Sequence, residues 1–219
     1  MTLQLAIFDC DGTLVDSQHA IVAAMDSAFA ALSLAPLDRE TVLSIVGLSL
    51  ESAMRRLAPQ ESDAGIAALC AHYRAYCVRA RESGEAFDPL YDGIAPLIDQ
   101  LEADGWLLGI ATGKAMRGLR HVLACHDLRG RFVTLQTADL HPSKPHPAMI
   151  EAALAETGVA RENAVMIGDT SFDMLMASAA GVCGLGVGWG YHRPEELIAA
   201  GAKSVAMDSV ELGRHIGLR

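Results

Sequence analysis

Basic side chains are scarce in this chain: 17 Lys+Arg stand against 27 Asp+Glu, a formal net charge of -10. Nucleic acid or an acidic membrane surface would need the opposite balance, so neither is expected as a partner, while a local site for a small anion is not excluded. Long hydrophobic runs are missing too. Met174 to Tyr191 is uncharged, but its five glycines cut it into short apolar pieces, and no membrane helix is expected. The chain opens straight into a strand-like segment, without a basic stretch followed by an apolar one, so no signal peptide is read. Cysteines number five, at 10, 70, 77, 125 and 183, odd and scattered with no C-x-x-C. That argues for reduced thiols and a cytoplasmic protein. There is no internal repeat, no low-complexity segment and no pattern that specifies an oligomeric state. What is present suffices for a core: 219 residues, 51% hydrophobic and 20% charged, describe a globular chain and not a disordered one.

The stretch with the most chemistry is Asp9-Cys10-Asp11-Gly12-Thr13-Leu14, directly after the apolar run Leu3–Phe8. Such a run reads as a buried strand of a parallel sheet. Carboxylates just past its end would lie in the crevice where open α/β sheets place their ligands. A spacing of two sends Asp9 and Asp11 to one side if the backbone stays extended. Gly12 permits a sharp turn, and Thr13 is expected to hydrogen-bond locally. Like charges this close need a shared proton or a cation, and a hard divalent ion such as Mg²⁺ suits oxygen ligands.

From Ser17, an expected N-cap, to residue 83 the pattern is helical throughout: Ser17 to Leu32, a short helix opened by Asp38, a third through Met54 and Leu57, and a long one from Asp63 to Arg81. With no strand signal there, an inserted α-helical unit at 16–83 is expected between core segments 1–15 and 84–219. Ser83-Gly84-Glu85 and Asp88-Pro89 read as the return linker. Afterwards helices and short apolar strands alternate: strands at Trp106–Ala111, Phe132–Leu135, Ala164–Ile167, Val182–Val187 and Ser204–Ala206, with helices between. That rhythm specifies a doubly wound, Rossmann-like parallel sheet.

Three later loops carry candidate groups. Thr112-Gly113-Lys114 puts a hydroxyl and backbone N–H groups before a helix, a setting that suits a phosphate oxygen. It is not a P-loop, since Gly109 lies too close and Ala115 stands where Ser or Thr is required. Ser143-Lys144-Pro145-His146-Pro147 restrains one lysine among prolines, useful for holding an ammonium against an anion. Gly168-Asp169-Thr170-Ser171-Phe172-Asp173 follows a strand. Its two acids would share a helix face if Asp169 joins the cap, where they either answer the helix dipole or complete a metal site begun by Asp9. The run Gly184-x-Gly186-x-Gly188-x-Gly190 lacks G-x-G-x-x-G spacing and is not read as a dinucleotide site.

Taken together these stretches resemble the haloacid dehalogenase superfamily of phosphohydrolases. Asp9-Cys10-Asp11-Gly12-Thr13 is similar to its first motif, Thr112 to its second, Lys144 to its third, and Gly168-Asp169 with Asp173 to its fourth, in family order over nearly the whole chain. The helical insertion resembles the small cap of one subgroup, within which Ala111-Thr112-Gly113-Lys114 and Gly168-Asp169-Thr170-Ser171-Phe172-Asp173-Met174 look most like the phosphoglycolate-phosphatase-like branch. Gly113 departs from the pattern, since many members carry Asn there. The resemblance implies Mg²⁺-dependent hydrolysis of a small phosphorylated metabolite, with Asp9 as nucleophile and Asp11 as acid and base. It implies Thr112, Gly113 and Lys144 around the phosphate and Mg²⁺ on Asp9, Asp169 and the Asp11 carbonyl. Asp173 either orients Lys144 or supports the metal from behind. Phosphomutase, pyrophosphatase or nucleotidase chemistry would retain the same residues. A 2-haloacid dehalogenase would need neither Mg²⁺ nor Asp11. A phosphoreceiver module would be about half this length, and a retired scaffold would not be expected to keep every motif residue.

Overall fold

The computed structural model describes residues 3–84 and 87–218, so Glu85 of the expected linker lies outside the described residues. The strands are β1 (Leu5–Phe8), β2 (Leu107–Thr112), β3 (Thr134–Thr137), β4 (Ala164–Gly168), β5 (Cys183–Val187) and β6 (Ser204–Ala206). They form one all-parallel sheet in the order β3-β2-β1-β4-β5-β6. The helices run α1 (Gln18–Ala31), α2 (Arg39–Leu43), α3 (Leu50–Leu57), α4 (Asp63–Glu82), α5 (Ile94–Ala103), α6 (Met116–Cys125), α7 (Ala148–Thr157), α8 (Ser171–Ala180), α9 (Pro194–Ala199) and α10 (Ser209–Ile216). This is the doubly wound, Rossmann-like arrangement. The order reverses between β1 and β4, which opens a crevice beyond their carboxyl ends.

β1 shows why its sequence is apolar at every position. Ala6 and Phe8 pack into a cluster with Ile98 and Leu101 of α5 and Leu212 of α10. Leu5 and Ile7 pack on the other face with Met149 and Ile150 of α7 and Met176 of α8. A strand covered on both faces cannot alternate with polar residues. Because Ile98 is fully buried in the first cluster, Ile98→Ala is expected to lower stability by about 3 kcal/mol. Urea denaturation measures it.

Helices α1 to α4 lie in sequence between β1 and α5 and share a second hydrophobic cluster, built on Met25 and Phe29 of α1, Met54 of α3 and Leu69 of α4. Phe172 of α8 joins that cluster from the sheet side. The chain enters and leaves this region on adjacent backbones: Val15 bridges Leu90, the Asp16 N–H donates to the Pro89 carbonyl at 2.8 Å, and Tyr91 N–H to the Leu14 carbonyl at 3.0 Å. Asp38 caps α2 through Thr41 N–H at 2.7 Å, and Ser62 caps α4 through Gly65 N–H at 3.2 Å.

Two local expectations change. Ser17 occupies the N-cap position of α1 but makes no side-chain cap, because its hydroxyl lies 3.1 Å from the Tyr191 hydroxyl instead. β3 begins two residues later than the apolar Phe132–Leu135 run. Its buried Thr134 and Gln136 are polar, and side chains satisfy them: Gln136 donates to Thr134 Oγ1 at 2.7 Å, and Thr134 to Glu156 at 2.5 Å. The glycine run is packing. A methyl group at Gly184 would press on Met174 and Ala177, and one at Gly186 on Leu197 and Val205. Among the described residues no helix is long and apolar enough to cross a membrane.

Candidate active site

The carboxyl ends of three adjacent strands deliver the side chains. Asp9 follows β1, Thr112 is the last residue of β2, and Asp169 follows β4. The Asp9 N–H donates to the Ile167 carbonyl at 2.9 Å, so the sheet ladder itself fixes where this residue leaves the strand. Its Oδ1 accepts from Cys10 N–H at 2.7 Å. Its Oδ2, fully buried, takes no well-directed hydrogen bond and has only the Lys144 ammonium, 2.9 Å away, as ion-pair partner. Burial, only partly offset by Lys144, pushes Asp9 up to about 6.

Lys144 is itself buried and also donates to Asp173 Oδ1 at 2.6 Å. Asp173 stands in the first turn of α8, where its Oδ2 accepts from Thr170 N–H at 3.0 Å and the Thr170 hydroxyl at 2.6 Å. Every oxygen of Asp173 is therefore engaged in holding Lys144 and the helix start. Burial works against the Lys144 ammonium, yet the facing Asp173 and Asp9 carboxylates raise its pKa above the ordinary lysine value. The Lys144–Pro145 peptide is cis.

Asp169 does not join the helix cap; Thr170 does. Its carboxylate is instead clamped from two distant segments, by the Thr13 hydroxyl at 2.8 Å and Tyr191 N–H at 2.9 Å. The expected local bond of Thr13 is replaced by this long-range one. Gly12 and Gly190 flank the same carboxylate so closely that a Cβ at either position would overlap it. Gly12 also has φ +87°, a left-handed conformation that favours glycine.

One oxygen each from Asp9, Asp169 and Asp173 lie within 4.8 Å of one another, all buried. Burial first, then the Asp173 and Asp9 charges, hold Asp169 well above the usual carboxylate range. Three buried carboxylates against the single Lys144 ammonium leave a negative excess that a hard divalent cation would neutralise. The donor set is all oxygen, and Asp9 Oδ2 takes no directed hydrogen bond, so it fits Mg²⁺.

Asp11 sits apart from that trio. The turn at Cys10–Gly12 ends the extended backbone, and Asp11 Oδ1 accepts from Lys114 Nζ at 2.6 Å. Burial opposes the Lys114 charge, but Asp11 raises its pKa above the ordinary value. Lys114 is a cavity-lining residue with no role assigned from the sequence; its place in Thr112-Gly113-Lys114 was the available signal. The Thr112 hydroxyl accepts from Lys114 N–H at 3.2 Å.

Asp9, Asp11, Thr112, Gly113 and Lys114 line a cavity of about 500 Å³, whose opposite wall comes from residues 45–51 and one side of α4. Lys144, Asp169 and Asp173 are not among the lining residues; Lys144 reaches Asp9 directly and Asp173 holds Lys144. Gly113 meets the carbonyls of Gly47 and Leu48 so closely that a Cβ there would overlap both. The glycine that departs from the resemblance is thus where the helical region touches the sheet loops. Ser49 N–H reinforces that contact by donating to the Ser143 hydroxyl at 2.8 Å.

Residues 6–187 match the family model described as haloacid dehalogenase-like hydrolase. The probable phosphatase IndB of Dickeya dadantii is 35% identical over 199 residues, covering 90% of this chain and 86% of that protein. A phosphoglycolate phosphatase of Rhodospirillum rubrum is 32% identical over 220 residues, covering 96% and 90%. The crystal structure of a hydrolase from Pseudomonas syringae matches with a TM-score of 0.86 at 27% identity, over 99% of this chain and 98% of that one. The chain therefore belongs to the haloacid dehalogenase-like hydrolases and is a phosphatase of their phosphoglycolate-phosphatase-like branch.

Proposed function

We propose that this phosphatase hydrolyses small phosphate monoesters with Mg²⁺, through an aspartyl-phosphate on Asp9. The observation that carries the reading is Asp9 Oδ2: a buried carboxylate oxygen with no directed hydrogen bond, on a residue that lines the cavity. Its partner oxygen is tied to Cys10 N–H, which leaves Oδ2, held by the Lys144 ammonium at 2.9 Å, as the atom for in-line attack on phosphorus. Asp11 acts from its protonated form, giving that proton to the departing alkoxide, and as the resulting carboxylate takes one from the water that attacks the acyl phosphate. Lys114 fixes the direction of that carboxylate. The Thr112 hydroxyl, the Gly113 N–H and the Lys144 ammonium bind phosphoryl oxygens, each well-placed donor contributing about 3 kcal/mol to the transition state. Asp173 orients Lys144.

Asp9, Asp169 and the Asp11 backbone carbonyl would hold Mg²⁺, which when bound supplies positive charge that offsets repulsion between the attacking carboxylate and the phosphate. We assign residues 16–83 as a cap over a core of 1–15 and 84–219, closing on the site and excluding water. The tight approach of Gly113 to residues 47–48 supports that assignment. Gly113→Asn is expected to hold the cap away, raising KM and lowering kcat/KM by about tenfold. Steady-state kinetics separates the two parameters. Five free thiols fit a reducing compartment, and we assign the protein to the cytoplasm.

The test is phosphate release from a panel of monoesters, phosphoglycolate included, with and without Mg²⁺. Turnover that requires the metal is expected. Folded protein that releases phosphate from no ester would overturn the reading.

A further inference from the structure

The cavity is larger and more differentiated than a minimal phosphate ester needs. A volume of about 500 Å³ falls in the range of pockets that enclose drug-sized ligands, and a two-carbon leaving group would fill only a small part of it. Part of its wall is apolar, with Ile21 and Met25 of α1 and Val46 and Leu48 of the loop before α3. One stripe of α4 lines the space as well, at helical spacing, Arg74, Cys77, Val78 and Arg81. Arg117, at the start of α6, faces the same space from the core.

Charge within the cavity is unevenly satisfied. Each lining carboxylate is already engaged: Asp9 with Lys144, Asp11 with Lys114, Glu51 with Arg55, and Asp139 with Met116 N–H. Arg74, Arg81 and Arg117 line the cavity, Arg74 and Arg117 exposed to solvent and Arg81 half-buried, and none has a carboxylate partner among the described residues. They give the cavity three cations beyond its Lys114–Asp11 pair, in a chain whose net charge is -10. A guanidinium offers a planar fork of donors matched to carboxylate or phosphate.

We propose that the substrate is a phosphate monoester whose leaving group has an apolar or aromatic body carrying a second anionic group, carboxylate or phosphate, which Arg74 and Arg81 bind at the cavity mouth. The body lies along the apolar wall, and the phosphoryl group meets Asp9. This inference rests on the phosphatase reading above and assigns its substrate class.

The test compares kcat/KM for phenyl phosphate, 4-carboxyphenyl phosphate, hydroquinone bisphosphate and phosphoglycolate, in the parent protein and in the Arg74→Gln/Arg81→Gln double variant. The parent is expected to prefer one of the two anionic phenyl esters over phenyl phosphate by at least about tenfold, the worth of a charged hydrogen bond. Whichever is preferred identifies the second group. In the double variant that ratio should fall to within about twofold of unity, through KM. A parent that treats the phenyl esters alike, a variant that keeps the preference, or phosphoglycolate as the best substrate would overturn the proposal. Calorimetric binding of phenylphosphonate and 4-carboxyphenylphosphonate separates this from hydrolysis itself. If no ester turns over but the carboxylated phosphonate binds more tightly, the substrate class stands and the hydrolytic reading fails; equal binding removes the substrate class.

Discussion

Asp9→Asn is expected to fold and to lose phosphate release by at least about 10⁴-fold, as removal of a covalent nucleophile does. Asn retains the volume and still accepts from Cys10 N–H, but its amide cannot carry the phosphoryl group. Stability should not follow activity. The side chains of Asp9, Asp169 and Asp173 crowd within 4.8 Å, and burial already pushes Asp9 up to about 6, so its charge works against the metal-free fold. Removing one of the three carboxylates relieves that repulsion, and the metal-free melting temperature is expected to hold or rise. A thermal melt beside a phosphate-release assay reads both. Parent-like turnover in this variant would exclude the covalent route, and a collapsed melt would mean that Asp9 is a structural acid.

Lys144→Met has the opposite signature. Lys144 is the cation between Asp9, at 2.9 Å, and Asp173, at 2.6 Å, with all three side chains buried. Met fills the stem's volume and leaves two buried carboxylates facing each other without compensation. Breaking a buried pair from one side costs about 3–5 kcal/mol, and urea denaturation of the metal-free protein should show a loss of that size. Adding Asp173→Asn to the variant removes one of the stranded charges and should recover part of it. A loss below about 1 kcal/mol would mean that the ammonium contributes little to the fold. Activity is expected to fall as well, since the proposed mechanism uses this ammonium as a donor to the phosphoryl oxygens.

These two side chains were readable from the chain because each stands in a loop with a local signature. Asp9 follows an apolar run of strand length, and Lys144 sits among prolines. The helix α8 has sharp ends, Ser171–Ala180, since β4 ends in Gly168 before it and Gly181 closes it with φ +69°. Where the outcome depends on segments far apart in sequence, local pattern fails. Nothing near Thr13 signals that its hydroxyl reaches Asp169, 156 residues on, and nothing near Ser17 that Tyr191 draws it away from capping α1. Lys114 looked like ordinary loop chemistry until the fold placed it 2.6 Å from Asp11. β3 was misplaced because its buried polar residues are satisfied by one another and by Glu156, a property of packing and not of hydropathy. Gly113 read as a missing contact, whereas the structure shows that residues 47–48 leave no room for a side chain.

The most direct measurement is acid quench of the parent protein during turnover with Mg²⁺, followed by mass spectrometry of the N-terminal peptide. A phosphoryl group on Asp9, released by hydroxylamine as an acyl phosphate must be, is the result expected from the geometry. Steady phosphate release with no adduct on Asp9, or with the adduct on another residue, would contradict it.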